Sequence, residues 1–266
     1  MSNYNFETLT LEIDERGVAR LDLNRPEKHN ALNSIMISEL RHAATDLATD
    51  DRVRVVILSG QGKSFCAGGD INWFKDNVAA SRAERVNEGR ELALMLSELN
   101  ALPKPLIGRI QGPAYGGGVG MISVCDIAIA DTRFRFGLTE VRLGLIPATI
   151  SPYVVSRIGA ANARATMLSG QIFNSEYAAK IGLVNAVVEQ DWLDGRIEEI
   201  ITDHLEAAPG AVAETKRLIT YVSSHGMADN MVYTADRLAD AWETDEGASG
   251  IGCFLEKRLP SWRSGK

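Results

Sequence analysis

Two glycine-rich turns and one carboxylate carry the chemistry of this chain. The turns are Phe65-Cys66-Ala67-Gly68-Gly69-Asp70 and Gly112-Pro113-Ala114-Tyr115-Gly116-Gly117-Gly118. Each follows an apolar run that reads as a buried strand, Val53 to Leu58 and Leu106 to Ile110, and each precedes a stretch that reads as a helix. A helix that opens on glycine leaves main-chain N–H groups without acceptors, a natural seat for negative charge. Two such turns side by side can aim two donors at one oxygen, which is the construction of an oxyanion hole. Glu140, in Phe136-Gly137-Leu138-Thr139-Glu140-Val141, is the candidate acid or base beside them. Its apolar neighbours Phe136, Leu138, Val141 and Leu143 predict a desolvated carboxyl with a raised pKa, suited to moving protons.

Other chemistries fit poorly. Gly60-Gln61-Gly62-Lys63-Ser64 looks briefly like a phosphate loop, but Ile57 stands where the first glycine is required. Cys66, Cys125 and Cys253 lack metal spacing, and His29, His42, His204 and His225 form no ligand pattern, so no metal is expected. Cys66 lies in the first turn without a histidine nearby in sequence, which favours packing over reactivity. A net charge of -7 argues against a nucleic-acid surface.

Behind the turns, the elements are legible from pattern. Thr8 to Ile13 and Val18 to Asn24 alternate like strands around Asp14-Glu15-Arg16-Gly17, a hairpin. Ile35, Met36, Leu40, Ala43 and Leu47 recur at helical spacing after Asn33-Ser34, either of which can cap. Ser81-Arg82-Ala83-Glu84 is a capping box opening a long helix that Pro103-Lys104-Pro105 stops. Asp126 to Ala130 and Leu183 to Val188 read as further strands, and beyond Trp192 only helical patterns remain. Alternating strands and helices predict an α/β core, residues 1–195, followed by a helical region, 196–266. With 266 residues, 45% apolar and 24% charged, no span of membrane length and no signal-peptide pattern at the N-terminus, a cytoplasmic globular protein is expected.

Taken together, from Leu23-Asn24-Arg25-Pro26 and Asn30-Ala31-Leu32 through both glycine turns to Phe254-Leu255-Glu256-Lys257-Arg258, the chain resembles the crotonase (enoyl-CoA hydratase/isomerase) superfamily along nearly its whole length. The resemblance implies an α/β spiral of ββα units, ClpP-like, with C-terminal helices that assemble trimers, often paired into hexamers. It implies no permanently bound cofactor, the coenzyme A being part of an acyl-CoA substrate. The implied oxyanion donors are the N–H groups of Gly69 and Gly117, with Glu140 exchanging a proton with the substrate. Lys28, His29, Ala67, Gly69, Asp70, Ile71 and Gly117 are implied to follow the CoA and thioester, and Phe254 and Lys257 to reach the adenosine of a neighbouring subunit. Asp70 reads equally as a helix cap, Phe254 as a packing residue, and Lys28, His29 and Lys257 as solvated surface. Trp73 and Phe74 are candidates for a wall of the acyl pocket, or core.

The chain departs from the family in two places. Gly120 replaces the second glutamate of well-known hydratases, and Ala148 with Gly120 excludes the dienoyl-CoA isomerase pattern. Gly118-Val119-Gly120 together with Ala148-Thr149-Ile150-Ser151-Pro152 and Phe254-Leu255-Glu256-Lys257-Arg258 is similar to bacterial methylglutaconyl-CoA hydratases and to hydratases of acyclic terpene breakdown. A substrate with a second carboxylate calls for a cation, for which Arg142, Arg157 and Lys75 are candidates. The expected activity is hydration of a 2-enoyl-CoA. The rival reactions are Δ3,Δ2-enoyl-CoA isomerisation by Glu140 alone and a non-catalytic role in binding acyl-CoA or RNA.

Overall fold

The computed structural model describes residues 5–263. The chain opens with the hairpin β1 (Leu9–Ile13) and β2 (Val18–Leu23), paired antiparallel. Its turn is built as the sequence predicts. The Asp14 carboxylate accepts the N–H groups of Arg16 and Val18, and Gly17 takes φ 84°, where an added Cβ would run into the Arg52 carbonyl oxygen. Helix α1 (Ser34–Thr49) is capped by Asn33, which accepts the Met36 N–H, and leads to β3 (Val55–Gly60). Then come α2 (Ile71–Ala79), α3 (Arg82–Asn100) with its Ser81–Glu84 capping box, β4 (Leu106–Ile110), β5 (Ala114–Tyr115) and α4 (Gly117–Val124). The order continues with β6 (Ile127–Asp131), β7 (Arg135–Gly137), α5 (Ser151–Met167), β8 (Ile172–Asn174), α6 (Ser175–Lys180) and β9 (Ala186–Val188). It closes with α7 (Gln190–Leu205), α8 (Pro209–Ser224), α9 (Met227–Glu243) and α10 (Asp245–Leu255).

Six strands form one sheet in the order β1-β2-β3-β4-β6-β9, parallel except for β1. Every residue of β3 is buried, as expected of a parallel strand covered on both faces. Its alternate side chains go opposite ways: Val56 and Leu58 join the main core with α1, α3, α4 and α5, whereas Val55 and Ile57 meet Leu193, Ile197, Ile200 and Ile201 of α7. The expected boundary at residue 195 therefore falls inside a helix whose apolar face covers the sheet. Only after Leu205 does the chain turn to helices without such cover, since α8 and α9 bury no residue and α10 buries Cys253 alone. No helix among the described residues is long and apolar enough to cross a membrane.

A second sheet, β5-β7-β8, has no counterpart in the sequence reading. Its strands are two or three residues long, too short to display a period of two. It matters because it registers Tyr115 against Gly137 and lets the Gly116 N–H donate to the Gly137 oxygen at 2.9 Å. That pairing carries Glu140, three residues on, to the second glycine turn.

Candidate active site

The first glycine turn is laced to the loop that follows β2. Ala67 N–H donates to the His29 oxygen (3.0 Å), Leu32 N–H to Gly68 O (2.7 Å) and Asp70 N–H to Leu32 O (2.8 Å). The last two bonds make a parallel bridge between Leu32 and Gly69, in which the N–H of Gly69 itself faces away from Leu32. The loop is held in turn by buried Asn30, whose Oδ1 accepts the Arg25 N–H while Nδ2 donates to the carbonyls of Gln61 and Ser64. His29 and Asn30 take φ 52° and 53° to make this possible.

Asp70 turns out to be a support. One carboxylate oxygen caps α2 by accepting the Asn72 N–H at 2.8 Å, and the other meets Arg25 Nη2 at 2.9 Å. Burial alone would raise its pKa, but the Asn72 N–H and the Arg25 guanidinium outweigh that and hold it below the ordinary value. Arg25 lies within the motif Leu23-Asn24-Arg25-Pro26, but nothing in that motif signals its pairing with Asp70, 45 residues on.

The second turn stacks on the first through a parallel bridge of Cys66 with Ala114. An ideal Cβ on Gly68 would lie 3.1 Å from the Tyr115 oxygen, and one on Gly118 would lie 2.5 Å from the Cys66 oxygen. Main chain passes main chain here, so a side chain at either place has no room. Gly116 takes φ 49°, ψ −115°, and Gly117 begins α4. A Cβ on Gly117 would meet Leu32 Cδ1 at 2.6 Å. Leu32 thus bridges the turns, bonded by its main chain to one and packed by its side chain on the other. Its motif, Asn30-Ala31-Leu32, is visible in the sequence, but this double contact is not. Neither the Gly69 nor the Gly117 N–H donates to another group among the described residues.

Glu140 opens a 3-10 turn, Glu140–Leu143, and its Oε1 lies against Gly116, 2.9 Å from where a Cβ would stand. Its Oε2 is buried and without a hydrogen-bond partner among the described residues. Burial pushes its pKa above the ordinary carboxylate value, opposed in part by its own N–H. Glu140 therefore lies against the second turn, which itself stacks on the first, so Gly69, Gly117 and Glu140 stand on adjoining segments.

Gly120, one turn into α4, is covered by Ile150. An added Cβ there would lie 2.5 Å from Ile150 Cγ2, and Ile150 is itself buried. The missing second acid is matched by a side chain that fills its place. Lys28, His29, Ala67 and Ile71 are exposed around the first turn, with His29 Nδ1 3.0 Å from Ser64 Oγ. Phe254 and Lys257 are exposed at the end of α10, Lys257 in the left-handed region at φ 55°. Cys66 is fully buried, and burial pushes its thiol up to about 12, which removes it as a nucleophile at neutral pH. Of the candidate cations, Arg157 is committed to the carbonyls of Cys125, Gly182 and Leu183 and to Asn185. Arg142 and Lys75 are exposed, Arg142 donating to the Ser169 oxygen at 3.3 Å.

Main-chain donors on touching turns thus lie beside one desolvated carboxyl. Residues 14–265 match the family model described as enoyl-CoA hydratase/isomerase. A crotonyl-CoA hydratase of Syntrophomonas wolfei is 33% identical over 265 residues, spanning 97% of this chain and 99% of the relative. A short-chain-enoyl-CoA hydratase of Clostridium acetobutylicum is 32% identical, spanning 92% and 93%. The crystal structure of an enoyl-CoA hydratase from Shewanella pealeana superposes with a TM-score of 0.94 at 34% identity over 97% of each chain. The chain belongs to the enoyl-CoA hydratase/isomerase family and has the crotonase fold, with its C-terminal helices.

Proposed function

We propose that the chain is an enoyl-CoA hydratase that adds water across the 2,3 double bond of a CoA thioester. The observation that carries this is the buried, unpartnered Oε2 of Glu140 beside two turns with unused main-chain donors. The thioester oxygen accepts the N–H groups of Gly69 and Gly117. Glu140, ionised, takes a proton from water as the water oxygen bonds to C3, and the π electrons move into the enolate that the two donors stabilise. Glu140 then returns the proton to C2, the enolate collapses to the thioester, and the carboxylate is restored. One acid suffices because the hydroxyl and the hydrogen both come from one water. Hydratase names among relatives 32–33% identical support the same reaction.

Ile150 over Gly120 favours a second reading. With no carboxyl there, Glu140 can instead take a proton from C2 of a 3-enoyl-CoA and deliver it to C4. Offering both thioesters and following the conjugated chromophore separates the two: absorbance is lost on hydration and gained on isomerisation. No change with either, from folded protein, refutes both.

The finer reading is 3-methylglutaconyl-CoA, supported by the resemblance at residues 118–120, 148–152 and 254–258. Exposed Arg142 and Lys75 are the cations left for its second carboxylate. A preference for it over crotonyl-CoA that disappears in Arg142→Ala or Lys75→Ala is the expected result; equal rates with both thioesters refute it. A homotrimer or a pair of trimers accords with exposed Leu238, Trp242, Phe254 and Leu255 on α9 and α10, from which Phe254 and Lys257 would reach a neighbour's CoA. Sedimentation equilibrium tests this, and a monomer at micromolar concentration contradicts it.

A further inference from the structure

Helix α2 covers the first glycine turn, yet none of its residues is fully buried. Apolar packing therefore does little to fix it, and named side-chain links hold it instead. Asp70 caps its N-terminus, and Arg85 of α3 donates to the carbonyls of Asn77 (2.7 Å) and Val78 (3.0 Å) near its C-terminus. Between them, the indole Nε1 of Trp73 donates to Glu88 Oε2 of α3 at 3.0 Å. Trp73 packs edge-on against Phe74, with ring centroids 5.5 Å apart. Both rings reach Gly69: an ideal Cβ there would lie 3.0 Å from Phe74 Cζ and 3.4 Å from Trp73 Cε3. Glu88 forms no ion pair among the described residues, so this half-buried carboxylate is bonded to the indole alone. On its other side, neighbouring Gly89 lies against Thr149, next to the Ile150 that covers Gly120.

We propose that Glu88 is a positioning residue. Through the Trp73 indole it fixes the Trp73–Phe74 ring pair against Gly69, and so fixes both the direction of that oxyanion donor and an aromatic wall for the apolar part of the acyl group. This rests on the hydratase reading for its kinetic consequence but not for its structural one. Charge-assisted hydrogen bonds to a half-buried carboxylate are among the stronger side-chain links, and the N–H of a half-buried tryptophan is best satisfied by such a partner. A donor displaced by a fraction of an ångström weakens the interaction that grows in the transition state, which lowers kcat more than it raises KM.

The test compares Glu88→Ala, Glu88→Gln, Trp73→Phe and the double variant Glu88→Ala/Trp73→Phe on the 2-enoyl-CoA that the unaltered enzyme hydrates best. Glu88→Ala and Trp73→Phe should each lose about tenfold in kcat with KM nearly unchanged. The double variant should fall no further than either alone, and Glu88→Gln, whose amide oxygen accepts the same N–H, should keep its rate. Hydrogen exchange over residues 71–79 should quicken in Glu88→Ala and not in Glu88→Gln, a readout that needs no turnover. Full kcat in Glu88→Ala, losses that multiply in the double variant, or a loss that Glu88→Gln does not repair would each overturn the proposal. If the unaltered enzyme hydrates no thioester, the hydratase reading fails, and unchanged exchange in Glu88→Ala would then overturn this one separately.

Discussion

Replacing Gly116 by alanine tests two features of the site at once. The residue sits at φ 49°, ψ −115°, a conformation that a side chain strains by about 1–3 kcal/mol. The new Cβ would also lie 2.9 Å from Glu140 Oε1, where ordinary contacts begin at 3.4 Å. The carboxylate must retreat by the difference, about 0.5 Å, or the turn must open and take the neighbouring Gly117 donor with it. A displacement of 1 Å at reacting groups costs about a hundredfold in rate, so half of that costs about tenfold, or ~1.4 kcal/mol in the barrier. We expect Gly116→Ala to hydrate its best 2-enoyl-CoA with kcat/KM lowered ten- to a hundredfold and with a lower melting temperature. The rate is read from the decay of thioester-conjugated absorbance, well below the variant's melting transition so that unfolding does not contribute. A folded variant with kcat/KM within twofold of the parent would show that Glu140 and the second turn need not keep this spacing, and the reasoning would fail.

Further expectations concern charge and space. The buried Glu140 carboxyl has its pKa raised on folding, so its ionisation destabilises the fold as pH rises through that value. Glu140→Gln should be more stable than the parent near neutral pH, the gap closing as pH falls toward 4.5; a gap that widens in acid would contradict the assignment. Arg25→Ala leaves Asp70 as an uncompensated charge in a pair that is mostly buried, and chemical denaturation should show a loss of about 3–5 kcal/mol. Asp70 is depressed in the folded state, so Asp70→Asn should differ from the parent most above pH 3.8 and less as pH falls further. Gly120→Glu forces Ile150 aside and should destabilise by at least about 1–3 kcal/mol, with Ile150→Ala in the same chain recovering part of the loss; an undisturbed melting temperature in the single variant would sink that packing argument.

The parts that sequence reveals are those fixed locally. Asp14 and Gly17 announce the hairpin, Asn33 caps α1, and Ser81 with Glu84 closes the capping box, each through bonds spanning two to four residues. The apolar runs that became β3 and β4 are long enough to be read, while β9 begins at Ala186, three residues into the run read from Leu183, because the chain is still turning out of α6. What stayed hidden depends on contacts distant in sequence. Glu140 reaches Gly116 only because a two-residue strand pairs with a three-residue one, and neither has a pattern of its own. Leu32 joins two turns that lie 36 and 85 residues beyond it, at Gly68 and Gly117, and Ile150 occupies the space over Gly120 from another element. The Asp126 carboxylate, just before β6, likewise depends on distant partners, accepting the Leu106 N–H and pairing with Lys216, both at 2.7 Å.

In the proposed reaction, two peptide N–H groups polarise one thioester carbonyl while a single acid handles the proton. Glu140→Gln should retain that polarisation without turning the substrate over, so the bound thioester can be observed directly. Its carbonyl stretch, followed by isotope-edited infrared difference spectroscopy, should move to lower wavenumber than for the same thioester in water. A 2-enoyl-CoA that is bound but keeps its solution frequency would contradict the account.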